Sequence, residues 1–379
     1  MKINYKYLLL VFAFPFTFMF DRFMYPFFKT QGINYLEIGI IDAIFSTMSL
    51  IFLYYFGHVS DRIGRRKTLA VFLAYYAPFP LIYLKISNFI QGCLARAAQA
   101  PSFLTFPTEY AYEQDLANVI PRKRKATFFG ILSTIGGIGS FLYPIIGGFL
   151  IDSYGFQFLG MISFVIVLLV VLLVLILPEP SKIKKNKKIM NKINFKILKS
   201  SRFLKAFSIY CFLISISLVI TFIWIPFLSL ESTKSYGVVG LIISAMSFFM
   251  IFGRIFFGYI ADRYGSNKTF IIAGIIAPIS LILLAISNSV LILILSSLLA
   301  SLASSITLPA QSALLSCYTK PSIRGGVFSA LEFFSRCGVV VGGLIGGIIT
   351  TFFGISFTFI FAALTDSLAI LIFAYVIRK

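Results

Sequence analysis

One histidine, four cysteines and thirteen acidic residues are all that this 379-residue chain offers for acid–base, nucleophilic or metal chemistry. The histidine, His58, lies at the edge of an apolar run, and no Ser-His-Asp arrangement can be assembled around it. Cys93, Cys211, Cys317 and Cys337 fall in or near apolar runs without metal-ligand spacing. No phosphate-cradling loop of the Walker type is present, which argues against direct drive by ATP. The sequence therefore points away from an enzyme and implies no metal and no cofactor. Charge of either sign is scarce, at 12% of residues, where soluble domains carry about 25%.

Apolar sequence is what the chain has. Hydrophobic residues make up 59% of it and the mean hydropathy is +0.95. The apolar runs are too long and too many for one soluble core. A run of about 20 such residues is long enough to cross a bilayer as a helix. Twelve spans can be placed, near 7–28, 36–57, 68–84, 89–112, 126–151, 156–177, 204–229, 236–260, 269–287, 289–314, 324–350 and 355–377. Helices are expected, because lipid leaves backbone polar groups nothing to bond outside the segment. The alternation of a membrane barrel is absent. The fold class is an all-α integral membrane protein. A net charge of +20 would suit nucleic acid, but the basic residues sit in short clusters between apolar runs, so nucleic-acid binding is not expected.

Those clusters orient the chain. With the N-terminus inside, external loops hold only Lys29, Lys85 and Lys234. Arg22, Arg96 and Arg336 fall deep within spans, and the other 27 of the 33 basic residues lie in cytoplasmic segments and their helix ends. The positive-inside rule then puts both termini in the cytoplasm of a multi-pass protein of the cell membrane. The first span lacks a small-residue cleavage site and reads as a retained helix. The polar stretch 181–203 carries nine basic residues and no acidic one. It reads as a cytoplasmic linker, part of it suited to lying on anionic headgroups. It separates residues 1–180 from 204–379, six spans each.

The two halves repeat each other. Pro26 and Pro226 are 200 apart. Gly57, Asp61, Arg62, Gly64, Lys67 and Thr68 recur 201 residues later as Gly258, Asp262, Arg263, Gly265, Lys268 and Thr269. TFP at 105–107 recurs as TLP at 307–309, and Gly147–Gly148 as Gly346–Gly347. Such spacing implies two pseudo-symmetric six-helix bundles related as a parallel repeat, an arrangement found in secondary transporters.

At these residues the chain resembles the major facilitator superfamily, in its 12-helix type. G57-x-x-x-D61-R62-x-G64-R65-R66-K67 is similar to the family's loop 2–3 signature. R96-A-A-Q99 resembles its fourth-helix motif, with Ala100 in place of the following glycine. G139-S-F-L-Y143-P144-I-I-G147-G148 resembles the fifth-helix motif of its proton antiporters, with Tyr143 in place of glycine. The resemblance implies that Asp61 meets the N-terminus of the eleventh helix near residues 322–325. Arg65 and Arg66 are then expected to pair with Glu109 or Glu113, and Asp262 to meet the fifth helix near 125–127. A carboxylate at a helix N-terminus contributes about 0.3–2 kcal/mol, weak enough to release in every cycle. Gly139, Pro144, Gly147, Gly148, Gly342 and Gly346 are small or helix-modulating residues at positions suited to close helix packing in lipid.

Ionisable residues inside spans are costly and therefore informative. Counted along a helix, Asp21 lies about 22 Å from Lys6, and Arg96 reaches a similar depth. Asp21 and Arg22 should point about 100° apart. Gln99 lies one turn from Arg96. The second half supplies Thr221, Trp224, Ser301 and Gln311. A pocket charged on one side and polar-aromatic on the other is expected, with Asp21 as the proton-binding carboxylate and Arg96 setting its affinity. A purely structural Asp21–Arg96 bridge stands as the alternative. Glu332 and Arg336 can pair at i, i+4; Asp42, Asp366 and Arg336 reach similar depth, and Asp42–Arg336 is a candidate contact between halves. The expected function is alternating-access transport of a small organic solute by a monomer in lipid, as proton-coupled export or exchange. Proton-linked uptake of an organic anion is the alternative within transport. A non-transporting sensor or assembly factor is the alternative outside it.

Overall fold

The computed structural model describes residues 5–57, 59–117, 125–179, 201–319 and 324–377. His58 and most of the 181–203 linker lie outside them, as do the side chains of Asp61, Asp262 and Cys317. Among the described residues every regular element is helical. All twelve expected spans are present as helix, and what differs is where they break.

The first span is three pieces: α1 (Tyr5–Ala13), a 3-10 turn (Phe14–Phe18) and α2 (Met24–Thr30). Pro15 at the head of the 3-10 segment has no N–H to carry an α-helix through. The second span is α3 (Tyr35–Phe56), and the short α4 (Val59–Ile63) follows. The third divides into α5 (Arg65–Tyr76) and α6 (Phe79–Tyr83) around Pro78 and Pro80. The fourth divides into α7 (Phe89–Gln99) and α8 (Thr105–Ala117) around a 3-10 segment containing Pro101. The fifth and sixth are two helices that meet at Gly155, whose backbone (φ 80°, ψ 172°) is not helical; together they are labelled α9 (Lys125–Leu175). Glycine takes that conformation without a Cβ penalty.

The second half has longer uninterrupted helices. α10 (Arg202–Thr233) continues through Pro226. The eighth span is α11 (Tyr236–Ala245) and α12 (Phe248–Tyr264). α13 (Ser266–Ala285) and α14 (Val290–Tyr318) continue through Pro278 and Pro309. α15 (Arg324–Phe353) and α16 (Ile355–Ile377) complete the chain. Seven described helical runs are long and apolar enough to cross a membrane unbroken. Breaks such as those at Pro15 and Pro101 leave some of the other spans in shorter pieces. Large apolar side chains such as Leu169, Leu172 and Ile176 are exposed, as a surface solvated by lipid requires.

The chain forms two compact units. The first comprises Met1–Ile33, Ile44–Met190 and Ser235–Gly240; the second comprises Asn34–Ala43, Asn191–Lys234 and Leu241–Lys379. In the first, Tyr7, Leu10, Leu69, Leu73, Tyr112 and Val174 pack as a core. In the second, Phe203, Phe207, Tyr210, Phe270 and Phe373 do so.

Candidate functional site

The interruption of the first span builds the site. Between the 3-10 segment and α2 the chain runs through turns at 19–23, closed by the Phe23 N–H on the Phe20 carbonyl (2.9 Å). Asp21 and Arg22 lie in that stretch. The angle expected between them was counted along an unbroken α-helix, whereas α-helix gives way at Phe14 and both residues lie in turns.

Asp21 accepts two hydrogen bonds. The Tyr76 hydroxyl donates to Oδ1 at 2.8 Å, and Gln99 Nε2 donates to Oδ2 at 3.1 Å. The other end of the Gln99 amide faces the cation: its Oε1 accepts from Arg96 Nη1 and from the Tyr83 hydroxyl. Arg96 Nη2 donates to the Tyr25 hydroxyl at 3.0 Å. The guanidinium lies 3.7 Å over the Phe45 ring, a cation–π contact. Arg96 is only 4% exposed, so its charge is held by these contacts and not by solvent. The amide thus bridges carboxylate and guanidinium, donor to the anion and acceptor from the cation. Hydrogen bonds to charged groups contribute about 1.5–3 kcal/mol each, and losing one partner strands the other.

Tyr25, Phe45, Tyr76 and Tyr83 were not among the residues expected from sequence. A signal for two of them exists. Tyr76 and Tyr83 are seven apart on one span and fully buried, and a buried tyrosine hydroxyl needs a partner.

The second-half residues are placed in the second unit. The Thr221 hydroxyl donates to the Ser217 carbonyl at 2.8 Å. Ser301 Oγ accepts the Phe249 N–H at 2.9 Å, satisfying the backbone where the eighth span breaks. Trp224 is fully buried, against Tyr35 and Phe227, and its indole Nε1 has no hydrogen-bond acceptor among the described residues. Gln311 is half-buried on α14. Arg336 pairs with Glu332 at 2.9 Å. Asp42 is buried beside Gly343, and Asp366 is buried beside Ser217.

In the charged loop, Arg65 Nε meets Asp115, an acid of α8 beyond the expected Glu109 and Glu113, at 3.1 Å, and its Nη1 donates to Ser60. Asp115 lies a further half-turn along α8 from Glu113, beside the base of α5. Arg66 Nη1 donates to the Leu177 carbonyl at 2.9 Å, and its backbone N–H to Glu179 at 3.3 Å. It therefore binds the end of the sixth span. Arg62 and Gly57 are exposed. Gly64 (φ 107°) and Gly265 (φ 90°) make the same turn in both repeats. Gly258 and Arg263 lie on α12, where the guanidinium of Arg263 is 5.7 Å from the Tyr264 ring.

The glycines of the fifth and eleventh spans sit at close approaches. A Cβ on Gly147 would lie 2.8 Å from the Phe23 ring. Gly139 faces the Phe12 carbonyl, and Gly148 the Tyr236 carbonyl. A Cβ on Gly342 would lie 2.8 Å from Ile216, and one on Gly346 would lie 2.5 Å from Trp224 Nε1. Pro144 lies inside α9, its carbonyl against Gly240.

The sequence profile of the Major Facilitator Superfamily matches residues 7–234 and 228–379, nearly the whole chain. The chain belongs to this superfamily. It is 26% identical over 323 residues to the multidrug resistance protein MdtG of Salmonella typhimurium, covering 83% of this chain and 79% of that one. It is 24% identical over 343 residues to an uncharacterized MFS-type transporter of Methanocaldococcus jannaschii, covering 89% and 88%. Among solved structures, the nucleoside transporter NupG superposes with a TM-score of 0.78 at 16% identity over 100% of both chains. The human organic anion transporter MFSD10 does so with 0.68 at 14% identity, over 98% of this chain and 100% of that one. The protein is a multi-pass membrane transporter of the 12-helix fold, not an enzyme.

Proposed function

We propose that this transporter moves a small organic solute by alternating access, coupled to protons, in export or exchange. The observation that carries the reading is the Asp21–Gln99–Arg96 bridge. An acid and a base are joined there through one amide, on spans where each isolated charge would be costly. Asp21 is the proton-binding carboxylate. Arg96 sets its affinity through Gln99, so a solute group that engages Arg96 or Gln99 alters how the Asp21 carboxylate is held. Trp224, Thr221, Ser301 and Gln311 form the second half's contribution to recognition. The name of the MdtG relative supports export over uptake. The basic linker at 181–203 joins two six-helix halves, and the Lys/Arg distribution supports a cell-membrane location with both termini in the cytoplasm. The protein acts as a monomer.

The test is transport of labelled solutes by protein reconstituted in liposomes, with and without an imposed pH gradient. Solute accumulation driven by pH alone, and counterflow without it, are expected. Uptake of organic anions in the proton-linked direction would replace export as the reading. Absence of counterflow across a broad solute panel would overturn transport altogether.

A further inference from the structure

The second and eighth spans begin as a matched pair. Asn34, Tyr35 and Gly39 recur 201 residues later as Ser235, Tyr236 and Gly240. Both starts pack on a glycine of a partner helix. In the second unit, a Cβ on Gly347 would lie 3.0 Å from the Tyr35 carbonyl oxygen and 3.1 Å from Gly39 Cα. In the first unit, a Cβ on Gly148 would lie 3.1 Å from Gly237 Cα, with the Tyr236 carbonyl closer still.

Their caps are not matched. α3 carries its own capping box: the Asn34 N–H donates to Glu37 Oε2 (2.8 Å) and the Glu37 N–H to Asn34 Oδ1 (2.9 Å). At α11 the residue corresponding to Glu37 is Val238, so the helix has no carboxylate of its own there. The carboxylate comes instead from Asp152, on α9. It accepts the N–H groups of Tyr236 (2.9 Å) and Gly237 (2.8 Å) and the Ser235 hydroxyl (2.6 Å). The Ser235 oxygen in turn accepts the Val238 N–H at 3.3 Å. In register with the Gly148–Gly347 repeat, the counterpart of Asp152 is Thr351, whose hydroxyl is spent on the Gly347 carbonyl of its own helix (2.8 Å).

We propose that Asp152 is a gating residue, through which the start of the eighth span is capped only while residues 235–240 stay against the fifth. The cap of the second span travels with its helix. The cap of the eighth is left behind whenever that contact parts, exposing two donors at the positive end of a helix. One of the two pseudo-equivalent contacts therefore resists opening more than the other. This rests on the alternating-access reading.

The test uses full-length protein in lipid nanodiscs, with spin labels at Tyr154 and Leu241, both exposed. Hydrogen exchange at the Ser235, Tyr236 and Gly237 amides is measured in parallel. Wild type should show two distance populations that exchange with conditions. Asp152→Ala should raise the longer one, and speed amide exchange, by about fivefold to tenfold, the order expected for a lost cap. Asp152→Asn, which keeps an acceptor oxygen, should fall between. Adding Val238→Glu to Asp152→Ala rebuilds a local capping box, whose carboxylate takes the Ser235 N–H as Glu37 takes that of Asn34. Protection of the Ser235 amide should rise while the distances stay shifted. If Val238→Glu restores the distances, or Asp152→Ala moves neither distance nor amide exchange, Asp152 is a local cap and not a gate. If wild type holds one distance in every condition, the alternating-access reading falls, and the gate with it.

Discussion

Gln99 turns its amide nitrogen to Asp21, at 3.1 Å from Oδ2, and its amide oxygen to Arg96. The orientation is set chemically. Reversing the amide would point an oxygen at a carboxylate and an N–H at a guanidinium. Gln99→Leu keeps the bulk and removes these two bonds and the one from the Tyr83 hydroxyl. pH-driven transport should fall at least about tenfold, equivalent to one lost charge-assisted bond, while protein yield stays measurable. Transport in liposomes normalised to folded protein checks it.

Asp21→Asn removes the ionisable group and keeps the shape. Solute exchange should persist while accumulation driven by a pH gradient disappears. Arg96→Ala should impair both. If Asp21→Asn still accumulates solute with pH as the sole driving force, the coupling site lies elsewhere, with Asp42 and Asp366 next in line.

Tyr76→Phe deletes the donor to Asp21 Oδ1 at a fully buried position. A loss of about 1.5–3 kcal/mol of stability is expected for this bond to a carboxylate. The dependence of transport on pH should shift in the same variant. Thermal unfolding and a pH series read the two effects separately.

Gly64→Ala and Gly265→Ala test the same backbone turn in different surroundings. Both positions have positive φ, but a Cβ at 64 would lie 2.9 Å from the Glu179 carboxylate, whereas nothing lies within 4 Å at 265. The first should destabilise by about 1–3 kcal/mol and the second by about 1 kcal/mol. Equal losses would mean that Glu179 simply moves aside.

Span count and repeat could be read from the sequence because lipid imposes a strict length and apolarity on each crossing. The break points could not be placed by that rule. Pro15 and Pro101 interrupt their spans, while Pro226, Pro278 and Pro309 sit inside continuous helices, and the difference depends on which neighbours satisfy the freed carbonyls. Arg96 and Gln99 stood out because a charge one turn from an amide is conspicuous in an apolar run. Tyr25, Tyr76 and Tyr83 did not, since tyrosine counts as apolar until its hydroxyl is given a partner. The Arg65–Asp115 contact was missed because three acids, Glu109, Glu113 and Asp115, lie within seven residues of one another and their rotation about the helix is not written in the sequence. Asp152 escaped notice because its partners lie 83 to 85 residues away.

The unequal distribution of breaks has a mechanical meaning. Among the described residues, the first, third and fourth spans of the first half are jointed rods, whereas in the second half only the eighth is interrupted. A jointed rod bends at its joint before it transmits force along its axis; an unbroken one carries the load from end to end. The repeat written in the sequence is thus a symmetry of outline and not of stiffness. The jointed half is also the one that carries Asp21 and Arg96, so its joints lie in the same spans as those charges.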